Sequence, residues 1–110
     1  MAIKASARLI LQGEDPSEPG AYGPGCVQLM EGVEREHSLN RAAKDLGMAY
    51  SKAWRIMKEA EQQLGCELLL RDGARGSSLT ADGRRVLSAY HELQAEIDGL
   101  LARRLPELLG

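Results

Sequence analysis

Apolar residues recur along this chain in two rhythms, one near the helical turn and one alternating, and their order outlines the elements. From 3 to 12, Ile3, Ala5, Ala7, Leu9 and Leu11 alternate with Lys4, Ser6, Arg8, Ile10 and Gln12, a period of two that predicts a half-buried strand. GEDPSEPGAYGPG at 13–25 concentrates Gly, Pro and acids, which predicts a loop. A first helix is expected from Pro24 or Gly25, with Cys26, Leu29, Met30 and Val33 on one stripe. It should end before Ser38, which is placed to cap the next helix.

Between Ser38 and Gly65 two amphipathic patterns flank a short break centred on Gly47. Leu39, Ala42, Ala43 and Leu46 form the stripe of one helix, and the small Ala42 and Ala43 would let a neighbouring helix cross closely. Ala53, Met57, Ala60 and Leu64 form the inward stripe of the next. That leaves Tyr50, Ser51, Lys52, Arg55 and Lys58 facing outward, in the layout of a DNA-reading helix-turn-helix at 38–65. Trp54, adjacent to the inward stripe in a chain with no Phe, is expected in the core interface.

The pattern changes after Gly65. CELLLRDGARGSSLT at 66–80 holds a short apolar run, a Gly-rich tip at 73–76 with Arg75 inside it, and a second extended piece, which reads as a β-hairpin wing over 66–79. Arg75 on so thin a tip is placed to reach a phosphate or the minor groove. Thr80 then caps a long helix over 80–105 that Pro106 should end. On it Val86, Tyr90, Leu93, Ile97 and Leu100 step by four and three residues, a stripe suited to packing on a second copy. The expected fold is therefore mainly α with a small β component: one winged helix-turn-helix domain over 1–110, with an N-terminal strand and a long C-terminal dimerisation helix.

Charge sharpens this picture. The net charge is −2, which argues against nucleic acid until its distribution is considered. Arg41, Lys44, Lys52, Arg55, Lys58, Arg71, Arg75, Arg84 and Arg85 lie within 38–85 and outnumber the acids there, whereas both flanks are acidic. A moderate, salt-sensitive binder of double-stranded DNA is expected. Arg55 is the best base reader, because a guanidinium bonds guanine O6 and N7 together. Tyr50, Ser51 and Lys52 begin the helix, where backbone N–H groups also favour phosphate. Arg84 and Arg85 are placed either to touch phosphate, to remain solvated or to pair with nearby acids.

Other chemistries find less support. No thiol, hydroxyl, imidazole or carboxylate spacing builds a nucleophile with its base, and GARGSS lacks the lysine of a phosphate loop, so no enzyme and no cofactor are expected. Cys26 and Cys66 are too few for a disulfide framework and have no metal-ligand spacing. Convergence of both with His37 and His91 would instead make a metal- or thiol-responsive regulator. A winged-helix protein-interaction module is the other alternative, which the polar outward face of the second helix disfavours. No apolar run is long enough to span a membrane and no secretory signal opens the chain, so the expected location is the cytoplasm.

AAKDLGMAYSKAWRIMKEAEQQLGCELLLR followed by LTADG resembles the N-terminal DNA-binding domain of LysR-type regulators. The leading alternating segment, the GPG before the first helix, and Tyr50 with Ala53-Trp54 are similar to the ModE-like branch, the molybdate-responsive regulators. The resemblance implies a homodimeric bacterial transcription factor whose Tyr50–Lys58 helix enters the major groove beside the wing. Two features depart from that pattern. Full-length ModE proteins carry C-terminal oxyanion-binding domains, for which this sequence has no stretch, so no molybdate site is expected in it. Ala49 stands where such families place a capping Ser, which passes the role to Ser51 or leaves a weaker cap.

Overall fold

The computed structural model describes residues 2–73 and 76–110. Helix α1 (Pro24–Glu36) opens with Pro24 in its first turn, where the missing N–H is not needed. It ends at His37, whose left-handed backbone (φ 55°) returns an N–H to the Val33 carbonyl. Ser38 follows at once and its Oγ accepts the Arg41 N–H at 3.1 Å, starting α2 (Leu39–Asp45). Two residues thus turn the chain sharply. The crossing is tight because Gly32 meets Ala42: a Cβ on Gly32 would lie 2.6 Å from the Ala42 Cβ. The smallness of Ala42 therefore serves α1, the helix before it.

The turn at 46–49 bends at Gly47 (φ 66°), with the Met48 N–H bonded to the Ala43 carbonyl, and α3 (Tyr50–Leu64) begins. Ala53, Met57 and Ala60 are buried as expected, and Leu64 is half-buried. Leu46 departs from its stripe and is exposed, because α2 ends before reaching it and the chain turns there. After Gly65, Glu61 reaches past the helix end and its Oε2 accepts the N–H groups of Leu68 and Leu69 at 2.8 and 3.2 Å. This ties α3 to strand β1 (Leu69–Arg71), which pairs antiparallel with β2 (Ser77–Leu79) in the register Leu69 to Leu79 and Arg71 to Ser77. The hairpin is seated on the helices: the Ser77 N–H donates to the His37 carbonyl at 2.9 Å.

Thr80 then does two things. Its Oγ1 donates to the Glu67 carbonyl and accepts the Gly83 N–H, so it holds the wing base while capping α4 (Ala81–Leu109). Pro106 does not end this helix as expected; the helix runs through it to Leu109. Pro106 lies in the final exposed turn, where one lost backbone bond and some crowding are least costly. From His91 onward α4 carries no buried residue among the described ones, and the molecule measures 54 × 31 × 24 Å.

The N-terminal strand is a further correction. Residues 2–10 are extended but join no sheet, and only an isolated bridge pairs Leu11 with Tyr22. The segment lies along α4, and side chains take the place of a neighbouring strand. Gln94 accepts the Leu9 N–H at 2.9 Å and donates to the Ala7 carbonyl at 2.8 Å, while the Tyr90 hydroxyl donates to the Leu9 carbonyl. Of the alternating apolar set only Leu9 and Leu11 are half-buried, while Ile3, Ala5 and Ala7 are exposed, so the alternation supplied neither a strand partner nor a continuous buried face. The core beneath is built from Leu29, Met30, Val33, Met57 and Leu68, with Tyr22 and Tyr90 edge to face at 5.7 Å.

Candidate nucleic-acid interface

α3 presents its outward residues as the spacing requires. Tyr50, Ser51, Lys52, Arg55 and Lys58 are all exposed. Ala49 precedes them in extended conformation and offers no side-chain cap, and Ser51 does not replace it. The first N–H groups of α3 therefore keep their donors turned outward, the arrangement that attracts a phosphate oxygen.

Two of the cations are lightly engaged. Arg55 Nη1 lies 3.4 Å from Glu59, and Lys58 Nζ lies 3.4 Å from Glu61. A solvent-facing i,i+4 pair such as Arg55–Glu59 contributes only about 0.3–0.5 kcal/mol, so Arg55 can exchange its carboxylate for a nucleic-acid oxygen at little cost. The partner of Lys58 is different, since the Glu61 side chain is largely buried and also holds the Leu68 and Leu69 N–H groups. Arg75 lies outside the described residues. Arg84 donates to the Leu79 carbonyl at 3.1 Å and Arg85 pairs with Asp82 at 2.8 Å, so both are partnered at the base of α4.

Trp54 is where the structure differs most from the sequence reading. It is 39% exposed and stands on the outer face of α3, outside the core. Tyr50, one turn earlier, is 42% exposed. Arg71, at the end of β1, bridges the two: its guanidinium carbon lies 5.3 Å from the Trp54 ring centre and 6.0 Å from that of Tyr50. Lys58 Nζ approaches Trp54 from a further turn along, at 5.5 Å. Cations over aromatic rings attract one another by about 0.5–1 kcal/mol at exposed sites. Helix and wing thus share one aromatic and cationic surface. Sequence reasoning missed Arg71 as a member of it, although Tyr50, Trp54 and Lys58 at successive four-residue steps already marked a stripe between the inward and outward faces.

The acidic loop is tied to the C-terminal part of α3 by Gln63, a buried polar residue. Gln63 Oε1 accepts the Gly13 N–H at 2.7 Å, and its Nε2 donates to the Glu18 and Pro19 carbonyls. Thirteen residues of helix separate Gln63 from Tyr50, roughly 20 Å at the α-helical rise. The loop comes nearer at Gly20, where a Cβ would lie 2.7 Å from the Glu59 Cβ, one turn from Arg55.

Other candidates sit elsewhere. Tyr90 is buried within the core of its own chain, so of the long-helix stripe Leu93 and Leu100 face solvent, while Val86 and Ile97 are half-buried. Cys26 is buried and Cys66 half-buried, and burial raises both thiols above the ordinary cysteine range. Among the described residues no three His, Cys, Asp or Glu side chains gather as metal ligands. No helix among them is long and apolar enough to cross a membrane.

Comparison with known proteins agrees with this geometry. Residues 27–84 match the model of the bacterial regulatory helix-turn-helix proteins of the lysR family. The molybdenum transport protein ModE of Azotobacter vinelandii is 36% identical over 91 residues, covering 76% of this chain and 34% of that protein. The HTH-type transcriptional activator AmpR of Citrobacter freundii is 34% identical over 77 residues, covering 70% of this chain and 26% of its own length. The chain thus spans about a third or less of these relatives. Among solved structures, the CbnR_DBD–DNA complex superposes with a TM-score of 0.60 at 26% identity, covering 76% of this chain and 94% of the other. The BenM_DBD/benA site 1 DNA complex superposes at 0.59 and 23% identity, a likeness of fold, covering 76% and 93%. Helix-turn-helix, wing, long helix and matched residues together make this chain a member of the LysR-type family of bacterial helix-turn-helix regulators, with a ModE protein among its relatives.

Proposed function

We propose that this chain is the sequence-specific DNA-binding unit of a transcriptional regulator, acting in the cytoplasm as a homodimer and without catalysis. The observation that carries this reading is the outward face of α3, where an uncapped helix start, Ser51, Lys52 and Arg55 stand exposed beside the wing. Two copies held through α4 would bring their α3 helices to successive major grooves about 34–36 Å apart on a pseudo-palindromic site. The similarity to a family member solved on DNA supports the same use of this fold.

Arg55 reads a base and Lys52 holds phosphate in this arrangement. Selection of bound fragments from random duplex DNA, followed by salt titration, tests it. Arg55→Ala should relax the preference at one position of each half-site, by about 1–3 kcal/mol of lost discrimination. Lys52→Ala should weaken all sequences alike and lower the salt slope by about one. Equal loss on every duplex from both substitutions would refute the division of roles.

A further inference from the structure

The aromatic pair on α3 is not explained by phosphate binding or by core packing. A tryptophan and a tyrosine, each about two-fifths exposed, stand side by side on the surface that would face the duplex. Arg71 and Lys58 lie over the rings and carry the charge, which leaves the remaining ring surface apolar. In an intact duplex the bases are stacked upon one another, so an aromatic side chain entering the major groove meets only their edges. The one apolar group on those edges is the C5-methyl of thymine.

We propose that Trp54, flanked by Tyr50, is a specificity-determining residue that selects thymine through its methyl group, and that Arg71 positions the ring. This rests on the reading of α3 as the groove-entering helix. Arg71 reaches Trp54 from β1, and Glu61 of α3 fixes the N–H groups of Leu69 in that strand and of Leu68 just before it, so ring and guanidinium belong to one rigid frame. Stacking on an unpaired base is the competing use of an exposed tryptophan, and it would favour single strands.

The experiment is a uridine scan. Each thymine of the selected duplex is replaced in turn by deoxyuridine, which pairs identically and lacks only the methyl. The native protein should lose about fourfold in affinity at one position of each half-site, the worth of one buried methyl. Trp54→Gln should bind more weakly to the parent duplex and be indifferent to uridine there, while Trp54→Phe retains part of the preference. Arg71→Ala should reduce the thymine-to-uridine ratio, whereas a phosphate contact alone would leave that ratio unchanged. The inference is overturned if the native protein tolerates uridine at every position, if Trp54→Gln keeps the native ratio, or if single strands bind better than duplex. The native scan needs no variant to fold. Sequence-selective duplex binding without a uridine effect removes this inference alone, whereas failure to bind any duplex removes the proposed function with it.

Discussion

Gln63 organises more of the backbone than any other single side chain in the loop region, since one amide binds Gly13, Glu18 and Pro19 at once. Leucine in its place would keep the volume but leave the half-buried Gly13 N–H and Glu18 carbonyl, and the Pro19 carbonyl, without their partner. Gln63→Leu should cost about 1–3 kcal/mol, read as a lower urea midpoint at unchanged slope. An unchanged midpoint would mean the loop is not held there. Helical spacing places Gln63 at the edge of the inward face and Gln62 opposite it, but the partners of Gln63 lie some fifty residues away and could not be read. Arg55, Lys52 and Ser51 were legible, because helical spacing alone decides which residues oppose Ala53, Met57 and Ala60. Trp54 was not, since it falls at the border of the two faces, and in the structure it stands outward with Arg71 of the wing over its ring.

At the scale of elements, boundaries set by neighbouring residues were readable. Ser38 and Thr80 cap the helices that follow them, and Gly65 closes α3 in a left-handed conformation. Boundaries that depend on distant partners were not, as the N-terminal segment bonded to Tyr90 and Gln94 demonstrates, and Pro106 was misread because a proline in a last exposed turn need not end a helix. The wing's place depends on a contact of the second sort. Gly76 adopts φ 93°, and a Cβ there would stand 2.1 Å from the His37 carbonyl oxygen that receives the Ser77 N–H. Gly76→Ala should therefore destabilise the fold by about 1–3 kcal/mol. Gly73→Ala, also at positive φ but with open space around it, should cost less. Thermal unfolding of the two variants makes the comparison; a reversed order would show that the hairpin is not seated on the α1–α2 corner.

For the whole molecule, the long helix poses the main question of assembly. Beyond Tyr90 it leaves the core with Leu93 and Leu100 exposed and Ile97 half-buried on one stripe. If this stripe joins two copies, Leu93→Glu should give monomers in sedimentation and weaken binding to a two-half-site duplex far more than to a single half-site, because linked contacts multiply. An unchanged mass would remove these residues from the interface. The folded core should be untouched, as Leu93 is not part of it. Within this stripe Tyr90 belongs to the chain's own core, its ring against Tyr22 and its hydroxyl bonded to Leu9, and Val86 packs against that core as well.

Gln94 and Tyr90 grip the backbone at Ala7 and Leu9, and two residues later Leu11 is paired with Tyr22, immediately before α1 begins. The N-terminal arm is consequently a tie-rod. A pivot of the long helix would therefore pull on the head of α1 through this arm as well as on the wing base, which Thr80 and Arg84 already join to α4, so leverage on α4 is shared between the two ends of the helical core.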